Sequence, residues 1–318
     1  SNTVNDYMPF EKGTLAYNIL TNAKNKTNGT EFLKTPKTTP AVEASASDEK
    51  VLSITPDDYG NSYYFRGAVT DNYVNYAGMC WRIVRIEGDG STKLILEDRN
   101  AECNSSSYTG NWSDGNSGVF GYNEENDKAD FLNYSGGLAD SLKSFQTTLE
   151  TKIGTGNSLS YYLKVDDWCF DDNIASTNSD GDQYYGAYKR IYTDKSPSLK
   201  CTGTKLSKYN NNSDMYVGTL TADEVSIAGA ADLTNYTYYL INDYAKNNLL
   251  SWWTLSPGYY FAFDEYDKVF IIDIDRSSFY LVSVSSGGGI YSRPAVTLKS
   301  GITIASGNGS ISNPYILE

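Results

Sequence analysis

Cys80-Trp81-Arg82-Ile83-Val84-Arg85-Ile86-Glu87-Gly88-Asp89-Gly90-Ser91-Thr92-Lys93-Leu94-Ile95-Leu96-Glu97 decides the fold class. Two strand-type runs, 80–87 and 92–97, flank a glycine-rich spacer at 88–91, which is the signature of a β-hairpin. Working outward, similar short runs occur at 62–66 and 73–76 before it, and at 252–255, 268–273, 279–283, 294–298 and 302–305 after it. Helical periodicity is confined to a few places. Leu138, Leu142, Phe145, Leu149 and Ile153 form the best amphipathic stripe, and Leu15, Ile19 and Leu20 a narrower one within 9–26. Thr221-Ala222-Asp223-Glu224 is a capping box that should open a short helix reaching Gly229. Residues 242–249 suit another short helix or turn. No fixed-period repeat is evident, which argues against solenoids and propellers. The expected fold class is α+β, with twisted antiparallel strands, a few helices and long loops.

Asn, Thr, Lys, Pro and Ser dominate residues 25–48, a composition suited to a linker. The expected organisation is an N-terminal helix and polar arm over 1–50, then one compact domain over 51–318. Within it, 104–126 reads as a long Ser/Gly/Asn-rich loop, 161–165 as a strand and 166–182 as an acidic loop.

Lys plus Arg total 26 against 39 Asp plus Glu, a formal charge of −13. That excludes the basic footprint of a nucleic-acid binder and disfavours docking on an anionic membrane. The chain has no His, so Ser-His-Asp and Cys-His catalysis and His-ligated metals are ruled out. Its four cysteines include no C-x-x-C pair. Widely spaced and even in number, they fit two disulfides in an exported protein, with three pairings open. The two sequence-local pairs, Cys80–Cys103 and Cys169–Cys201, are preferred. No apolar run reaches the roughly 18 residues of a membrane span, and no secretory h-region opens the sequence. The expected location is extracellular, with membrane attachment only through an anchor outside this sequence.

The hairpin, preceded by Tyr63-Tyr64-Phe65-Arg66-Gly67-Ala68-Val69, belongs to a series of motifs. Tyr185-Gly186-Ala187-Tyr188, Pro197-Ser198-Leu199-Lys200-Cys201, Leu220-Thr221-Ala222-Asp223-Glu224 and Trp253-Thr254-Leu255-Ser256-Pro257 follow. Arg293-Pro294-Ala295-Val296-Thr297-Leu298-Lys299-Ser300-Gly301 and Gly307-Asn308-Gly309 close it. From about Val51 to the C-terminus, this set resembles an uncharacterised family of secreted or surface-anchored proteins of Gram-positive and related bacteria. The resemblance implies a C-type-lectin-like or formylglycine-generating-enzyme-like C-terminal region. Formylglycine generation itself is not implied, because no cysteine follows Cys201. Where relatives read Gly-Val before Arg-Pro, this chain has Tyr291 and Ser292, and between 257 and 293 it carries aromatics in place of small polar residues. In the C-type-lectin-like variable proteins of diversity-generating retroelements, the corresponding segment is the ligand face, which suggests a diversified binding face here.

That segment, 256–293, holds the candidate ligand-binding residues Tyr259, Tyr260, Phe261, Phe263, Tyr266, Phe279, Tyr280 and Tyr291. Adjacent aromatics cannot all face one side of a strand, and tyrosine offers rigid, amphipathic contact area. Val269, Ile271 or Phe270, Ile272, Leu281 and Val284 should form the buried framework. Asp264, Glu265 and Asp267 would then favour a basic or hydroxyl-rich ligand. The competing reading is a loop folded over its own rings. In the acidic loop, Asp171, Asn173, Asp180 and Asp182 are candidate ligands for calcium, a hard cation that takes oxygen donors. The spacing is not an EF-hand, and a solvated loop with Asx turns competes. No other cofactor is expected. Arg293 should hold loop carbonyls, Trp81, Trp252 and Trp253 should anchor the core, and Trp112 is placed for an exposed stacking role.

These readings favour a non-enzymatic, adhesin-like surface protein that recognises a protein or a glycan through a Tyr/Phe-rich face. The alternative is a structural subunit of a surface appendage or cell-envelope assembly. A hydrolase built on carboxylates such as Asp264, Glu265, Asp267, Asp273 and Asp275 ranks third, because two acids among many carry little signal.

Overall fold

A computed structural model describes residues 8–26, 52–115, 118–154, 156–230, 238–275 and 278–318. The hairpin forms as its sequence dictates. Met79–Ile86 pairs antiparallel with Thr92–Asp98, and the spacer closes through Glu87 N–H to Ser91 O and Gly90 N–H to Glu87 O. It is the centre of a nine-stranded sheet that runs Val217–Gly218, Ala295–Leu298, Thr92–Asp98, Met79–Ile86, Tyr73–Tyr76, Tyr315–Leu317 and Ile304–Ser306. Ser53–Pro56 and Asn61–Tyr64 join it beside Met79–Ile86. A second, six-stranded sheet runs Ser278–Ser283, Tyr266–Asp273, Ser251–Phe261, Gln183–Tyr185 and Ile174–Thr177, with Ile290–Tyr291 parallel to Ser251–Phe261. Trp168–Phe170 and Thr204–Leu206 form a separate ribbon. Most pairings are antiparallel and helices are few, so the class is α+β.

The helix Leu138–Lys152 buries Leu138, Leu142, Phe145 and Leu149, and the Phe145 ring meets Trp81 edge-on at 6.1 Å. Trp81, Trp252 and Trp253 are fully buried, as their β-rich flanks imply. The capping box forms in full at the helix Ala222–Ala228. Both disulfides join the sequence-local pairs, Cys80–Cys103 and Cys169–Cys201.

Three expectations are corrected. The N-terminal helix, Leu15–Lys26, is part of the compact domain and not of an arm. Leu15, Ile19 and Leu20 are core residues, and Asn22 donates to Asn308 O and to the Tyr315 hydroxyl. The linker expected over 25–48 lies, beyond Lys26, outside the described residues. Residues 161–165 are not a strand, because a short helix, Leu159–Tyr162, capped by Ser158, precedes a single bridge from Leu163 to Leu298. Trp112 is fully buried, with Tyr291 edge-on at 6.3 Å and the Arg293 guanidinium 5.1 Å from its ring.

Candidate functional site

A buried charge network positions the elements around the site. The Arg85 fork reaches three carboxylates, Glu224 at 3.0 Å, Asp57 at 2.9 Å and Glu87 at 2.9 Å. Lys93 Nζ lies 3.1 Å from both Glu224 and Asp166, under the Trp168 ring. Lys164 bridges Glu87 and Asp89. Burial pushes the Asp166 and Glu224 carboxyls up, but Lys93, with Lys164 or Arg85, overcomes it and holds both below their ordinary values. The space among these groups is only about 30 Å³, about that of one water. They are paired structural charges, and Asp264, Glu265, Asp267, Asp273 and Asp275 are not among them.

At the edge of this network Arg190 is gripped by Asp171 and Asp223. Gly186 lies against the same group, where a Cβ would sit 2.7 Å from Arg190 Nη1 and 2.8 Å from Asp171 Oδ2. Together they fix the helical turns Gly186–Tyr188 and Lys189–Thr193 against the second sheet. Tyr188 and Tyr192, four residues apart, project from one side of this segment, and Tyr184, on the strand Gln183–Tyr185, joins them. Ring centroids are 4.8 Å apart for Tyr184–Tyr188 and 5.1 Å for Tyr188–Tyr192. Tyr192 in turn stacks on Phe270 at 5.5 Å.

The long strand Ser251–Phe261 brings the predicted aromatics to these tyrosines. Its register slips on both sides of Pro257, a bulge that tolerates a residue without an N–H. Beyond the bulge Tyr259 stands opposite Lys268 on one side and Tyr184 on the other. Its ring lies 5.9 Å from Tyr184 and 5.6 Å from Tyr188. The result is an open groove of about 570 Å³, walled by Tyr184, Tyr188, Tyr192 and Tyr259 and extended by Phe261, Tyr280 and Leu281. Lys268 and Asp182 are its charged members. The Lys268 ammonium sits 5.2 Å from the Tyr259 ring centre and 5.7 Å from that of Tyr266. Asp182 is occupied by the Ala262 N–H and the Asn178 amide.

The eight predicted aromatics therefore divide. Tyr259, Phe261 and Tyr280 line the groove. Phe263, 88% exposed, and Tyr266 pack on Phe261 at 6.4 and 6.1 Å, at the adjoining turn. Tyr260, one residue past Tyr259, projects to the other face, where Lys128 lies 4.9 Å from its ring. Tyr291 pairs with the buried Trp112, away from the groove. Phe279 is a core residue, edge-on to Phe270 at 5.7 Å, which corrects its assignment to the binding face. The framework residues Val269, Phe270, Ile271, Ile272 and Val284 are all buried, while Leu281 is half-exposed. Both alternating sets are covered, because the centre of the strand is packed on both faces.

The acidic residues are also reassigned. Asp267 is fully buried, accepting from the Tyr185 hydroxyl at 2.9 Å and the Ala129 N–H, so it cannot select a partner from outside. Only Asp264 and Glu265 are exposed. The calcium candidates do not converge. Asp171 is bound to Arg190 and Thr202. Asp180 and Asp182 lie at the far end of the hairpin formed by Ile174–Thr177 and Gln183–Tyr185, folded into the Asn178 turn. Among the described residues no group of acids could hold a metal ion. No protein-family model matches the chain, and neither does any curated protein or solved structure.

Proposed function

We propose that this α+β protein is an extracellular, adhesin-like ligand-binding protein of a bacterial surface, and that it recognises a protein or glycan through the tyrosine groove. The observation that carries this reading is the convergence of Tyr184, Tyr188, Tyr192 and Tyr259, from two adjacent strands and a helical segment, into one open cleft. Their rings cover one another only partly and leave a wall of aromatic faces and hydroxyls, the chemistry that binding surfaces favour. The two disulfides fit an oxidising compartment, and no described helix is long and apolar enough to cross a membrane. The resemblance to bacterial surface proteins with a C-type-lectin-like region points the same way, and it would make the 256–293 segment the diversified part. Glycan and protein arrays probed with the intact chain and with a Tyr188→Ala/Tyr259→Ala variant test the reading. Hits should vanish in the variant, whereas hits that persist unchanged refute the groove.

One observation favours a second reading, a subunit of a surface assembly. All four residues of the edge strand Ile174–Thr177 are exposed, and its Ile-Ala-Ser-Thr sequence has neither the charge nor the proline that usually blunts an edge. Light scattering across a concentration series would show polymers if this reading holds and a constant mass if it does not.

A further inference from the structure

We propose that the groove is selective for an acidic glycan, a polysaccharide whose pyranose faces stack on the tyrosines while a carboxylate or sulfate group meets Lys268. This rests on the groove being a ligand site. The argument is one of charge. The chain carries −13 overall, and among its buried cations Arg82, Arg85, Lys93 and Arg293 are matched by carboxylates. Lys268 is different. It is half-buried in the groove wall with no carboxylate within 4.0 Å among the described residues, and its ammonium rests against the ring faces of Tyr259 and Tyr266. Lys195, outside the groove lining, repeats the arrangement at Tyr192, 5.8 Å from the ring centre. Cations held by aromatic faces keep their charge available to an incoming anion.

Asp182, the carboxylate at the groove, already accepts two hydrogen bonds and pairs with neither lysine. The net charge of the rest of the chain is screened beyond roughly 8 Å at physiological salt, so the charges at the groove itself decide contact. Leu281 is the only aliphatic side chain in the lining. The wall is otherwise ring faces and hydroxyls, which suits a sugar with an apolar C–H face and polar edges better than an aliphatic peptide. A nucleic acid would need a broad basic surface, which this chain lacks.

The test is titration of the full chain with a hyaluronan hexasaccharide, a chondroitin sulfate hexasaccharide, neutral cellohexaose and polyglutamate, repeated with Lys268→Gln and Tyr259→Ala. At least one acidic hexasaccharide should bind, at least tenfold more tightly than cellohexaose or polyglutamate. Lys268→Gln should weaken it about tenfold with an unchanged thermal midpoint, and raising NaCl from 50 to 500 mM should weaken it several-fold. The acidic-glycan assignment is overturned by equal binding of cellohexaose, by equal binding of polyglutamate, by an inert Lys268→Gln or by no binding of either acidic sugar. If Tyr259→Ala still abolishes binding of another ligand, the groove survives as a site with different selectivity. If Tyr259→Ala changes no binding at all, the groove itself is refuted.

Discussion

Replacing Arg293 with methionine should lower the melting temperature by several degrees. Arg293 lies where the chain leaves Ile290–Tyr291, in the smaller sheet, for Ala295–Leu298, in the larger one. Its side chain is completely buried between Trp112 and Trp252. The fork donates from Nε to Leu96 O at 3.0 Å, from Nη1 to Leu240 O and from Nη2 to Glu97 at 3.1 Å. Burial, only partly offset by Glu97, pulls the guanidinium down to about 10, so it remains charged at neutral pH. Methionine fills similar volume but strands Glu97, which is 0% exposed and among the described residues keeps Arg82 at 3.8 Å and the Tyr108 hydroxyl at 3.1 Å. Breaking a buried pair by removing one partner costs about 3–5 kcal/mol. With an unfolding entropy of roughly 2.1 cal/mol/K per residue, a chain of this length changes by ~0.7 kcal/mol per degree, so the midpoint should fall about 4–7 °C. Arg293→Lys keeps the charge but not the fork and should fall in between. Calorimetry decides; a methionine variant that melts within about 1 °C of the parent would refute this account of how the sheets are joined.

Serine at Cys80 and Cys103 should cost about 3–4 kcal/mol by loop entropy, for a sequence separation of 23, and an Ellman assay of the denatured parent should find no free thiol. Gly218→Ala should destabilise by about 1–3 kcal/mol, because the new Cβ would lie 2.3 Å from a ring carbon of buried Trp168; an unchanged urea midpoint contradicts this. Asp166 and Glu224 have folded values below their ordinary 3.8 and 4.5, so the native state binds fewer protons than the unfolded chain there. Their stabilisation is complete above about pH 4.5 and is lost as pH falls below it. Urea midpoints should therefore drop between pH 6 and pH 3.5, and Asp166→Asn should flatten the slope; a midpoint that holds steady would show that the network is not what acid attacks.

The central hairpin, the helix at 138–152, the capping box and both disulfide pairs were legible because each rests on local signals: period, turn chemistry, or cysteine spacing. The hairpin Ile174–Thr177/Gln183–Tyr185 was not, because its edge strand is exposed throughout and shows no apolar alternation. That omission hid half of the groove. Tyr184, Tyr188 and Tyr192 recur at helical spacing, a signal present in the sequence but masked by the acidic residues before it. Tyr259, Phe261 and Tyr280, candidates by their density of rings, line the other half of the groove. Phe279 and Asp267 were misplaced for a common reason: alternation says which residues share a face, but not that a second layer covers both faces. The calcium reading failed because acids near in sequence are separated by the length of a hairpin.

The most direct test of the central claim is a crystal structure of the intact protein with an oligosaccharide or peptide taken from its own array hits. The account predicts the ligand stacked on Tyr188 and Tyr259, with a polar group at Lys268. A ligand bound elsewhere, with the groove unaltered, would contradict it.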